Sequence, residues 1–205
     1  VLDREKAERA HELEEELKSS RIVLATGQIR SHFIFNVLNA ISGMCKYDPK
    51  LADETVVRFA RYLRSNVDIL GNDSLVSFSK ELRHVEDYIG LEQVRYGSKI
   101  EFTAETETED FPVPTLILQP IVENAVKHGI LPKKEGGIIR VRTFSDDENN
   151  IIMVTDDGVG FDAAAPRKES SVGLTNVEFR LKTMVGGTIS TVAESGKGTT
   201  VTVKI

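Results

Sequence analysis

LQPIVENAVKHG, running from Leu118 to Gly129, decides how the rest of the chain is read. Its apolar residues Leu118, Ile121, Val122, Ala125 and Val126 recur at helical spacing and would pack one helix face on a sheet. That leaves Asn124, Lys127 and His128 as the polar remainder. An Asn amide oxygen is a fair magnesium ligand, and a Lys ammonium binds phosphate as a point charge. Alone, the same letters describe equally well a helix with an ordinary polar face.

About thirty residues later comes DDGVG, Asp156 to Gly160. Gly158 and Gly160 allow the backbone to approach a ligand closely, and the Asp156 carboxylate can accept from an exocyclic amine. Asp-Gly is also the strongest hairpin signal, so this motif by itself leaves a plain turn open. AAAPRKESSVGL follows, small, charged and poorly periodic, which suits a mobile loop. A helix opening at Gly173 would offer backbone N–H groups to phosphate. ESGKGTTVTV then places Gly196 and Gly198 around Lys197 before a last strand.

The surrounding pattern predicts strands at KIEFTAET, GGIIRVRTFS, NIIMVTDD, GTISTVAE and TTVTVKI. Between them fall a helix from Thr115 to about His128, opened by Pro112 and Pro114, and another from about Gly173 to Val185, closed by Gly186-Gly187. The expected class is α+β, a mixed sheet covered on one face by helices.

Upstream the chain is helical. VLDREKAERAHELEEELK, with Leu13, Leu17 and Leu24, makes a broken heptad seam and a coiled-coil candidate. The helical pattern continues through Gly27 to about Tyr47, where Asp48-Pro49 stops it. In LADETVVRFARYLRSNVDIL, the positions Val56, Phe59, Ala60, Leu63, Val67 and Leu70 mark one stripe for burial before Gly71-Asn72-Asp73 breaks the helix. Two helices joined by so short a turn are antiparallel, and a lone hairpin leaves apolar surface wet. Pairing two hairpins in a four-helix bundle would cover it, so a homodimer is expected; an intrachain contact would serve the same end. A third helix, N-capped at Ser79 and carrying Leu82, Val85, Tyr88 and Ile89, runs to Tyr96-Gly97 as a connector. The expected units are residues 1–27 as an entry coiled coil, 28–98 as hairpin plus connector, and 99–205 as the sandwich.

Composition narrows the function. The 205 residues are 40% hydrophobic, enough for one core and a smaller second unit. A net charge of −6 and a pI near 5.4 argue against a nucleic-acid surface. The single Cys45 fits a reducing cytosol, and no apolar run of eighteen residues is present to span a bilayer. A start at Val1 in mid-helix pattern reads as a piece of a longer protein.

Taken together, QIRSHFIFNVLNAI, YIGLEQVRYG, LQPIVENAVKHG, DDGVGFD, VGLTNVEFRL and GKGTTVTV resemble, over about residues 28 to 205, the LytS/YehU-type sensor histidine kinases of bacterial two-component systems. These share a GHKL-type ATP-binding fold with gyrase-type ATPases, Hsp90-type chaperones and MutL-type repair proteins. The resemblance implies that Asn124 binds magnesium, that Lys127 lies near the phosphates with His128 beside the nucleotide, and that Asp156 recognises the adenine amino group. Gly158 and Gly160 would shape that wall, Gly173, Leu174, Gly196 and Gly198 the phosphate side, and Thr199 the base side. His32 would be the phosphoacceptor, with Asn36 one helical turn on to orient its imidazole. ATP and magnesium are the implied ligands. A response regulator receiver domain is the implied partner, and the full-length protein would be anchored in a membrane with this portion cytoplasmic.

Three positions depart from the family pattern. Ser31 stands where Pro commonly precedes the acceptor, Ser171 where the second Gly box has its leading Gly, and Asp157 where Asn is common. Gyrase-type ATPases place a water-activating Glu four residues before the Asn; here that position is Pro120, which favours transfer to a side chain over hydrolysis. Glu123 reads either as a second magnesium ligand or as a solvent-facing residue. His11 and His84 read as members of charged helix faces. Two competing readings remain: a catalytically weak ATP-binding signalling module, and an anti-sigma-type Ser/Thr kinase, which would carry no helical hairpin around His32.

Overall fold

The structure is a computed structural model, and it describes residues 31–70, 75–146, 148–161 and 171–205. The coiled-coil segment 1–27, the Gly71-Asn72-Asp73 break and most of the AAAPRKESS loop lie outside the described residues. The chain divides into two compact units between Asp73 and Ser74. The third helix, which the sequence pattern groups with the hairpin, therefore belongs to the sheet unit.

The first unit is a hairpin of α1 (Ser31–Tyr47) and α2 (Pro49–Leu70). Asp48 and Pro49 both end one helix and start the next. The Asp48 carboxylate accepts the Leu51 N–H at 3.0 Å, as an N-cap does, and Pro49 occupies the first helical position, where its missing N–H costs nothing. Phe33 and Val37 of α1 are buried with Ala52, Thr55, Phe59, Tyr62 and Asn66 of α2, and the Phe33 and Tyr62 rings meet at 5.4 Å. Within a single hairpin the expected stripe is covered only in part. Phe59 lies inside, but Val56, Ala60 and Val67 are exposed on another face of α2. The helix is apolar on more than one side, and Thr55 and Asn66 enter the contact by returning side-chain hydrogen bonds to Leu51 and Tyr62 carbonyls.

In the second unit, β1 (Leu75–Ser77) leads into α3 (Phe78–Tyr96). Ser77, not Ser79, is the N-cap of this helix, and the two hydroxyls are 3.0 Å apart. Strand β2 (Ile100–Thr106) follows, then β3 (Pro112–Pro114), α4 (Leu118–Asn124) with a π-helical turn Ala125–Ile130, β4 (Gly137–Ser145), β5 (Asn150–Asp156), α5 (Ser171–Val185), β6 (Thr188–Glu194) and β7 (Gly198–Lys204). Pro112 and Pro114 do not open a helix; they form β3, which pairs antiparallel with β1. That small ribbon tolerates proline because its outer edge needs no donors.

The five long strands make one mixed sheet in the order β2-β4-β5-β7-β6, parallel between β2 and β4 and antiparallel elsewhere. Alternation does the sorting. Ile139, Val141 and Thr143 of β4 are buried while Arg140 and Arg142 are exposed, as for a sheet with one covered face. Ile152, Val154, Val201 and Val203 continue the core, which the π-helical turn and α5 close together with Ile121, Val122, Val126, Val177 and Leu181. The sequence-based strands and the α+β class stand. Among the described residues no helix is long and apolar enough to cross a membrane.

Candidate functional site

The site is built where α4 meets the ends of β5 and β7. The first requirement is a fixed start for α4. Leu116 has φ 57, a left-handed conformation that turns the chain sharply before the helix and leaves three consecutive backbone N–H groups pointing one way. The buried carboxylate of Glu81, on α3, accepts all of them: Leu116 at 2.8 Å, Ile117 at 3.1 Å and Leu118 at 3.2 Å. Burial pushes the Glu81 pKa up, against the three N–H groups and the Arg180 guanidinium, which favour the anion. Arg180 also donates to the Thr115 carbonyl at 2.8 Å, tying α5 to the same turn.

Asn124 closes the α-helical part, and Lys127 and His128 follow on the π-helical turn. Such turns widen a helix locally and recur at functional sites. Asn124 and Lys127 are half-buried and His128 is exposed. Glu123 is half-buried and partnered: one carboxylate oxygen pairs with the Lys127 ammonium and the other accepts from the Gln119 amide at 2.9 Å.

Asp156 ends β5, opposite Thr199 on β7, and is only 5% exposed. Its Oδ1 accepts the Gly158 N–H at 2.9 Å, and the Thr199 backbone also stabilises the anion. Burial nevertheless raises its pKa, with Asp157 adding to the rise and Lys133 opposing it. The helix end presses close: a Cβ on Gly129 would sit 2.5 Å from Asp156 Oδ1, and one on Gly158 would strike the Gly129 backbone. The Val159 N–H donates to the Gly129 carbonyl at 3.0 Å, locking the DDGVG turn to the end of the Asn124 helix. Gly160, at φ +59, and Gly198, at φ +99, pack against the backbones of Glu194 and Asp156, where no side chain fits. Gly196 donates to the Val159 carbonyl at 2.7 Å.

Gly173 sits near Pro120, so the start of α5 borders the first turn of α4, and Leu174 beside it is half-buried. That helix begins at Ser171, slightly before the expected Gly173. The structure thus brings Asp156, Gly158, Gly160, Gly198 and Thr199 together with the helix bearing Asn124, Lys127 and His128. Gly129, Lys133 and Glu81 were missed as contributors. Gly129 stood in the quoted motif, whereas the partners of Glu81 lie 35 to 37 residues away and carry no local signal.

In the hairpin unit, His32 is exposed on the first turn of α1, and the Asn36 amide nitrogen lies 2.9 Å from His32 Nδ1. The spacing of four places both on one helix face, as expected from the sequence.

With that geometry in view, the comparisons agree on a class. Residues 20–100 match the family model described as histidine kinase, and residues 110–205 the one described as histidine kinase-, DNA gyrase B-, and HSP90-like ATPase. Sensor histidine kinase YpdA of Escherichia coli is 34% identical over 186 residues, covering 87% of this chain and 33% of that protein. YwpD of Bacillus subtilis, named a putative uncharacterized protein, is 33% identical over 186 residues, covering 87% of this chain and 67% of that one. Sensor protein LytS of Bacillus subtilis is 34% identical over 146 residues, 70% of this chain and 24% of its own length. The chain belongs to the histidine kinase family, and it spans a third or less of the length of YpdA and LytS. A solved histidine kinase domain from Erythrobacter litoralis shares the fold, with a TM-score of 0.53, 14% identity and coverage of 85% of this chain and 95% of that one.

Proposed function

We propose that this chain binds Mg-ATP in the sheet unit, transfers the γ-phosphoryl group to His32, and hands it on to an aspartate of a response regulator. The observation that carries this reading is Asp156: a buried carboxylate at a strand end, held by two backbone N–H groups and walled by glycines. A carboxylate has about four acceptor positions, so two backbone donors leave capacity for the amino group of adenine. Thr199 lies opposite on the base side, while Gly173, Leu174, Gly196 and Gly198 supply backbone toward the phosphates, with Lys127 and His128 as the polar groups of the helix. Asn124 offers a neutral amide oxygen, which together with phosphate oxygens and water suits the hard, octahedral demands of magnesium. Magnesium bound there would neutralise phosphate charge.

At His32 the nucleophile is a neutral imidazole nitrogen. Amide nitrogen and oxygen are interchangeable in outline, so the Asn36 side chain can present its oxygen to His32 Nδ1–H. That tautomer leaves the Nε2 lone pair for in-line attack: the Nε2–P bond forms as the bond from γ-phosphorus to the bridging oxygen breaks, and ADP leaves. Positioning and charge neutralisation carry such a loose transition state, and no strong base is needed. Pro120 in place of a water-activating carboxylate fits transfer rather than hydrolysis.

The exposed apolar side chains of the hairpin, Phe35, Leu38, Val56, Val57 and Val67 among them, support a homodimer built as a four-helix bundle. Incubation with γ-labelled ATP and magnesium tests the whole reading. Acid-labile, alkali-stable label that vanishes in His32→Gln is the expected result. Bound ATP without label would instead support a signalling module, and acid-stable label on a partner a Ser/Thr kinase.

A further inference from the structure

If Lys127 binds phosphate, something must hold so flexible a side chain in place. The ammonium pairs with Glu123, and the geometry of Glu123 is itself set from behind. An ionised carboxylate only accepts hydrogen bonds, so the Gln119 side chain 2.9 Å away must turn its NH2 toward Glu123. Gln119 Oε1 then faces α3, where His84 Nε2 lies 2.7 Å away and must carry the proton. The donor directions along Lys127, Glu123, Gln119 and His84 are therefore all determined.

The chain of contacts spans two helices and ends inside the protein. His84 is 2% exposed, so it is not a member of a charged surface face, as its neighbours in sequence suggest. It lies one turn from Glu81, which caps the start of the same helix α4. So α3 grips α4 twice, by its backbone at the N-terminus and by the side-chain line that ends on Lys127. Of the charged groups beside this line, Asp87 of α3 acts electrostatically on His84, and Glu92 of α3 acts on Lys127 while bonded to Arg95 at 2.9 Å.

We infer that Gln119 and His84 are positioning residues for nucleotide phosphate binding, which fix Glu123 and through it place the Lys127 ammonium. Neither touches the nucleotide. The inference rests on the proposed ATP site, and it makes α3 the element that sets how well the phosphates, but not the base, are held. A lysine side chain has much rotamer freedom to lose when it is held in one place. Fixing it before the ligand arrives favours the phosphate-bearing ligand alone.

The test compares ATP with adenosine, each in magnesium, on the 205-residue chain by calorimetry. Gln119→Met and His84→Leu are expected to lower ATP affinity about three- to tenfold and to change adenosine affinity by less than about twofold. His84→Gln, whose amide nitrogen can take the place of the Nε2–H donor, restores most of the loss, and in a Lys127→Ala background Gln119→Met and His84→Leu no longer weaken ATP more than adenosine. Equal losses for both ligands, or an ATP-specific loss that persists without Lys127, overturn the inference and leave Gln119 and His84 with a packing role. If His84→Leu does not fold, Gln119→Met makes the same comparison with the histidine intact. An unsubstituted chain that binds neither ligand overturns the ATP reading itself, an outcome distinct from the others.

Discussion

The helical hairpin and the sheet unit treat their side chains in opposite ways. The hairpin leaves large apolar groups in water, with Phe35 66% exposed and Val57 57%, and it hides few polar ones. The sheet unit closes its core and buries Glu81, His84, Asp87, Glu92 and Asp156 as well. Burying charge is costly unless every group has partners, so such groups persist where geometry matters more than stability. One region thus keeps an open apolar face, which the proposed dimer would cover. The other is complete in itself and holds its polar groups in fixed directions around the helix that carries Asn124 and Lys127.

Removing a buried partner tests the contrast most severely. Glu81→Ala strands three backbone N–H groups and the Arg180 charge, and is expected to destabilise the sheet unit by about 3–5 kcal/mol while leaving the hairpin helices intact. Urea denaturation followed by hydrogen exchange separates the two units. A charge placed on the open face of the hairpin does the converse. Val56→Asp is expected to raise the dimer dissociation constant about a hundredfold, about 2.7 kcal/mol, with the sheet unit unchanged. Sedimentation velocity reads it, and an unaltered dimer would show that this face is not the interface.

A smaller effect sharpens the picture of the buried polar groups. Burial lowers the His84 pKa, with Gln119, Asp87 and Glu123 working against the shift. An imidazole depressed in the folded state binds fewer protons there than when unfolded. Its contribution is whole above about pH 6.5 and is lost as pH falls from there through the folded value. Glu81, Glu92 and Asp156 shift upward, and their contributions run the other way, present at low pH and lost as pH rises through their folded values. The difference between the chain and His84→Gln isolates the histidine: the unsubstituted chain is expected to lose more stability between about pH 7 and about pH 5.5 in parallel denaturation curves.

How much of this was legible in the letters follows the same divide. Among the long strands, β4 and β7 were readable because one covered sheet face imposes alternation, as in IIRVRTF and TTVTVK, and β5 because IIMV is a short apolar run with both Ile151 and Ile152 buried. The break at Asp48-Pro49 was readable because cap and proline act locally. The buried face of α2 was not. A helix with apolar residues on two sides does not reveal which side its neighbour in the hairpin takes, and Tyr62, Thr55 and Asn66 displaced Val56 and Val67. Proline at 112 and 114 signalled a helix start and served a short strand. The Asn124 and Asp156 motifs were found from spacing and resemblance, yet Glu81 and His84, which hold the Asn124 helix, act across some 35 residues, beyond any periodicity.

The central claim is that the sheet unit's nucleotide site serves the histidine of the hairpin. Mapping the phosphate on the chain after incubation with Mg-ATP, under alkaline conditions that preserve phosphoramidates, tests it most directly. One phosphoryl group on the peptide containing His32, absent when Asp156→Asn weakens adenine recognition, is the predicted result. Phosphate on another residue, or on His32 undiminished in Asp156→Asn, would contradict the account.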